Sequence, residues 1–161
     1  MILVADASAL IALATCNSLP LLDKLFGAVW VPEEVYLEIC EKEKPLADTL
    51  NVYLQGKVRR VDMQSYVFLD AFADAGETAA MLLYKQMHAD YLLIDDKRGR
   101  KVAAINQIKT IGSMGVLLQA KRSGLISEVA PLLTRLQASP VFISPGLCRT
   151  VLELAGESDG E

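Results

Sequence analysis

The chain predicts an α/β fold: a mostly parallel sheet with helices on both faces. Three observations carry this expectation. Two short runs, residues 2–5 and 91–94, have no polar break, as in strands buried on both faces of a parallel sheet. Each run ends on acid, Asp6 in one case and the pair Asp95 and Asp96 in the other, and a helical pattern follows. The alternation of strand and helix patterns continues along the chain with no internal repeat, linker or low-complexity stretch. At 161 residues and 52% hydrophobic content, one domain over residues 1–156 can bury a full core, and the acidic residues 157–161 read as a disordered tail.

Taken in order, residues 2–5 form a strand and Ser8 opens an alanine-rich helix through Ala14. Ser18 is placed to cap a second helix, with Pro20 in its first turn and Gly27 at its end. Residues 29–31 make a brief strand, and Pro32 starts a helix whose first turn holds Glu33 and Glu34. Its apolar stripe is Val35, Tyr36, Ile39 and Cys40; Glu38 stands at the margin, where it either leans into a cleft or reaches water. Residues 45–55 form another helix, and 58–61 a short strand or extended link. A helix over 74–87 opens with Asp74-Ala-Gly-Glu77, a capping-box pattern. Glu77 also shares a side with Ala80, Met81 and Tyr84, so it faces the sheet, and the two roles are compatible.

After the strand at 91–94 a helix runs to about Asn106, and residues 108–111 form the next strand. Gly112 and Gly115 lead a helix ending near Arg122 and offer close backbone approach to a phosphate. Residues 126–138 read as helical. Pro140 and Pro145 bracket an edge strand at 141–144, and residues 146–155 form the last helix.

Composition removes several function classes. The longest near-apolar run, residues 7–14, is too short to span a membrane, and residues 1–16 lack the basic start of a secretory signal. Cys16, Cys40 and Cys148 have no metal-ligand spacing and read as small core residues of a reduced, cytoplasmic protein. His88 is the one histidine and lies near a helix end, which leaves zinc sites and the common catalytic triads without ligands. No phosphate-loop or dinucleotide glycine pattern follows a strand. The net charge of −4 argues against a nucleic-acid partner only until it is located: Glu157, Asp159 and Glu161 leave −1 for residues 1–156. Residues 97–122 hold Lys97, Arg98, Arg100, Lys101, Lys109, Lys121 and Arg122 and no acid, a pattern that fits either a phosphate-backbone footprint or ordinary solvated helix faces. The residues expected to contact nucleic acid are Ser8, Lys97, Arg98, Arg100 and Lys101.

Strand carboxyl ends share one rim in a parallel sheet, so Asp6, Asp95 and Asp96 can converge there with Glu38 and Glu77. A single Asp would serve as a helix cap; two invite a search for partners. Two carboxylates ~4 Å apart repel by roughly 4 kcal/mol at an effective dielectric near 20. A hard divalent cation removes that cost, and an all-oxygen set selects magnesium or manganese. Acids, such an ion and flanking cations together read as metal-dependent phosphodiester hydrolysis.

In this order the chain resembles the PIN domain (PilT N-terminus) family, in its uncharacterised prokaryotic PIN-like branch related to toxin ribonucleases. The matching pieces are VADASALIAL at 4–13, VPEEVYLEI at 31–39, DAGETAAML at 74–82, LLIDDKRGRKVA at 92–103 and IGSMGVLLQAKRSGLI at 111–126. The resemblance implies a three-layer α/β/α sandwich and a magnesium- or manganese-dependent ribonuclease. It implies Asp6, Glu38, Glu77 and Asp96 as catalytic acids, and Asp6, Glu77, Asp95 and Asp96 as metal ligands. Ile94 stands where many members carry threonine. RNA as substrate, an antitoxin protein and a homodimer are further implications. Two other functions are kept in view: a non-catalytic nucleic-acid-binding module, and an aspartyl-phosphate phosphotransferase with Asp6 as nucleophile. The latter usually needs a second acid two residues on, where this chain has Ser8.

Overall fold

The computed structural model describes residues 1–62 and 74–157, and among them are five strands and nine helices. The strands are β1 (Ile2–Ala5), β2 (Ala28–Pro32), β3 (Val58–Arg59), β4 (Tyr91–Leu93) and β5 (Thr110–Ile111). They lie in the order β3-β2-β1-β4-β5, and every pairing is parallel. The register sets Val4 beside Trp30 on one side and Leu92 on the other, and Ala5 beside Leu93. Strand order reverses between β1 and β4, and open parallel sheets form their crevice at such a switch point.

Alternation along the strands divides the core into two. Leu3, Ala5 and Leu93 face one side, where α1 (Ala7–Thr15), α2 (Pro20–Phe26), α3 (Glu33–Ile39), α4 (Ala47–Leu54), α7 (Ser113–Arg122) and α8 (Ala130–Gln137) cover them. Val4, Leu92 and Ile94 face the other side, under α5 (Ala75–Met87) and α6 (Lys97–Ile105). Helix α9 (Pro145–Leu154) adds Val151 to the first cluster. The result is the three-layer α/β/α sandwich. Ala7, Ala9, Ala12 and Ala14 are all buried on α1, and their small side chains let that helix lie close on the sheet. No single helix among the described residues is long and apolar enough to cross a membrane; α1 and α2 together are, but they are bent by 115° and largely buried in the core. The three cysteines are free; Cys16 and Cys148 are buried and Cys40 is half-buried.

Several expected elements differ, each for a local reason. The helix expected over 126–138 spans only Ala130–Gln137, because Pro131 sits in its first turn and its ring obstructs extension toward the N-terminus. Residues 141–144 form no strand. Prolines at both ends remove ladder donors, and the Ser144 hydroxyl accepts from the Leu147 amide (3.1 Å) to start α9. Ser18 does not cap α2; its hydroxyl donates to the Cys16 carbonyl at 3.0 Å. Glu157, counted with the tail, is anchored: its carboxylate accepts from the Val129 and Ala130 amides and pairs with Lys121 Nζ at 2.9 Å. The remaining tail residues, 158–161, lie outside the described residues.

Candidate active site

At the switch point, carboxylates from four elements lie near enough to act on one another. Asp6 directly follows β1, and its amide donates to the Leu93 carbonyl on β4 at 2.8 Å, which ties it to the strand beside the crevice. It occupies the N-cap position of α1, yet its side chain makes no cap hydrogen bond. At 4% exposure, this carboxyl is buried without the partner a cap would supply. Glu77, 6% exposed, stands in the first turn of α5. The capping box is present in full: Asp74 Oδ1 accepts from the Glu77 amide at 2.7 Å, and Glu77 Oε2 accepts from the Asp74 amide at 3.2 Å. Capping does not exclude the site role, because Glu77 reaches Asp96 as well. Asp96 caps α6 through Oδ2, which accepts from the Gly99 amide at 2.8 Å. Glu38 is exposed on α3.

The electrostatics show that these acids share a neighbourhood. Burial pushes the Asp6 carboxyl up to about 7; the charges of Asp74, Glu38 and Asp96 add to that rise and the Ala7 amide opposes it. Burial likewise pushes Glu77 up to about 7, opposed by the Asp74 amide and raised further by the charges of Asp74 and Asp6 and by a hydrogen bond to Asp96. None of the ion pairs among the described residues involves Asp6, Glu38, Glu77 or Asp96.

Two glycines make the convergence sterically possible. A Cβ on Gly99 would lie 2.5 Å from Ile94 Cδ1 and 3.2 Å from Glu77 Oε1, so any side chain here would have to displace the buried end of Ile94 and press on the acid. A Cβ on Gly76 would lie 3.1 Å from Glu38 Oε2, at the contact between α5 and α3. Ile94, at the position where threonine was noted as common, is fully buried and supplies packing.

Asp95 does not join its neighbour. Its Oδ1 accepts from the Ser113 amide and its Oδ2 from the Ser113 hydroxyl, both at 2.7 Å, so it caps α7 from the adjacent strand end. Successive residues leaving a strand diverge, which sends Asp96 to the acids and Asp95 to α7. Gly112 makes room for this cap: a Cβ there would lie 3.0 Å from Asp95 Oδ1. A Cβ on Gly115 would meet Ile111 at 3.0 Å. Asp74 is the residue that sequence reasoning left as a cap alone. The signal was available, since a capping box binds Asp74 to whatever side Glu77 takes. Ser8, Lys97, Arg98, Arg100 and Lys101 are all exposed; Lys97, Arg100 and Lys101 line a cleft that begins at Asp95, and Arg98 does not.

Among the described residues, no three acidic, histidine or cysteine side chains are already set to hold one ion. The donor chemistry nevertheless fits a hard divalent cation. The five carboxyls Asp6, Glu38, Asp74, Glu77 and Asp96 are oxygen donors, and burial pushes the two enclosed ones, Asp6 and Glu77, up to about 7. A family profile described as a PIN domain matches residues 2–157. No curated protein shows a significant match to the chain.

Proposed function

We propose that this chain, which belongs to the PIN domain family, is a magnesium- or manganese-dependent ribonuclease whose site is the acid cluster at the β1/β4 switch point. The observation that carries the reading is the buried pair Asp6 and Glu77. Each is pushed up to about 7 inside a group of further acids, an arrangement that costs stability unless a cation or a reaction uses it. Asp6, Glu77 and Asp96 would hold the ion, with Glu38 and Asp74 at the rim. When bound, the ion would supply a nucleophilic water at neutral pH and charge stabilisation at the phosphate.

The chain's own residues have separable tasks. The Gly99 amide orients the Asp96 carboxylate and the Asp74 amide orients the Glu77 carboxyl, so two carboxyls are oriented by backbone before any ligand arrives. The exposed cations that follow Asp96 suit the phosphates of a bound strand. The reading extends to a cytoplasmic, homodimeric toxin held by an antitoxin protein.

The test is cleavage of labelled RNA by purified protein in magnesium, manganese or chelator. Metal-dependent products support the reading. Binding without cleavage in every metal would make the chain a nucleic-acid-binding module instead, and a trapped phosphoaspartate at Asp6 would make it a phosphotransferase.

A further inference from the structure

We infer that the cleft between α6 and residues 142–147 is a track for single-stranded RNA, in which Phe142 stacks on a base while Lys97, Arg100 and Lys101 hold the phosphates. The cleft has a volume of about 1030 Å³ and is open to solvent. One wall is the cationic face of α6. The other is apolar, and its Phe142 is 87% exposed.

That exposure is the informative feature, because a phenylalanine side chain left in water forgoes the stabilisation that burying it would bring. Its neighbours show that the segment is not simply loose. Val141 and Ile143 pack against the core, and Ser144 caps α9, so the backbone on both sides of Phe142 is fixed and the ring is directed outward. An aromatic ring presented to solvent from an anchored backbone beside cations is a stacking platform, and base–aromatic stacking tolerates any sequence. The one acid lining the cleft, Asp95, is engaged by the amide and hydroxyl of Ser113 and leaves the positive charge of the opposite wall dominant. A duplex hides its base faces, so the stacking wall selects an unpaired strand.

This inference rests on the ribonuclease reading, and the experiment separates the two. Fluorescence anisotropy in chelator would measure binding of a labelled mixed-sequence RNA oligonucleotide, single-stranded or annealed, to wild type, Phe142→Ala and Phe142→Trp. The expected result is single-strand affinity lowered about tenfold by Phe142→Ala, the loss of one stacked base, with duplex affinity unchanged. Phe142→Trp should retain affinity and show indole fluorescence quenched by the single strand. Both variants should fold normally, because the ring is exposed. Equal single-strand affinity in wild type and Phe142→Ala would overturn the inference while leaving cleavage intact. So would a dimer in sedimentation that Phe142→Ala dissociates without changing RNA affinity; the cleft would then join two copies of the chain. Wild type that binds no RNA at low salt would defeat both readings together.

Discussion

Replacing Asp6 by Asn removes a charge from the most enclosed position of the site, and the metal-free protein should become more stable. The magnitude follows from the carboxyl. Its ordinary value is 3.8 and burial pushes it up to about 7. At about 1.36 kcal/mol per unit, ionising it in the folded state costs about 4 kcal/mol above pH 7. Asn relieves that cost but buries an amide with incomplete hydrogen bonding, worth about 1–3 kcal/mol against it. The net gain is about 1–3 kcal/mol, or roughly 3–10 °C in Tm for a chain of this size. The pH dependence has a definite sign. A carboxyl whose folded value is raised binds more protons folded than unfolded between about pH 4 and 7, so wild type loses stability as pH rises through that window. Asp6→Asn should therefore be the less stable protein near pH 4, by the cost of the buried amide, overtake wild type as pH rises toward 7 and level off above it. Differential scanning fluorimetry in chelator across that range measures it. Magnesium should raise the Tm of wild type and barely move Asp6→Asn. A variant less stable than wild type at every pH, with no magnesium effect on either, would refute the shared-site account.

Asp96→Asn should shift Tm in the same direction by less, because Asp96 is exposed and Asn keeps the cap on Gly99. Gly99→Ala should lower Tm by several degrees, the opposite of the ~1 kcal/mol that alanine gains over glycine in an open helix, because its Cβ would meet Ile94 Cδ1 at 2.5 Å; a stabilised variant would mean that α6 does not approach Glu77 as described. Glu157→Ala should cost about 1–2 kcal/mol in denaturant unfolding by leaving the Val129 and Ala130 amides uncapped, and an unchanged midpoint would deny Glu157 its anchoring role. Replacing Lys97, Arg100 and Lys101 together by Ala should flatten the slope of log affinity against log salt by about 2 for single-stranded RNA, at ~0.7 per phosphate contact; an unchanged slope would place the footprint elsewhere.

The parts of this account legible in the sequence are those set by local chemistry. Strands β1 and β4 announce themselves as unbroken apolar runs ending in acid, and the capping box of α5 can be read from Asp74 and Glu77 alone. Which acids meet was only half legible. Adjacent Asp95 and Asp96 look equivalent along the chain, and only the pairing of Asp95 with Ser113, 18 positions away, separates them. The partner roles of Gly76 and Gly99 depend on how closely helices pack, which no periodicity records. Residues 141–144 carried a strand-like apolar pattern, but a ladder requires amide donors, and Pro140 and Pro145 withhold them. Phe142 was thereby hidden as one more strand residue until its neighbours turned inward without it.

The most direct test of the central claim is the rate of single-stranded RNA cleavage against manganese concentration, for wild type and Asp6→Asn in parallel. The account predicts saturable, chelator-sensitive cleavage by wild type, and a rate lower by orders of magnitude in the variant at every concentration, since Asn keeps the shape of the site but not its anionic ligand. Equal cleavage by a folded Asp6→Asn protein, or cleavage by wild type that chelator does not reduce, would contradict it.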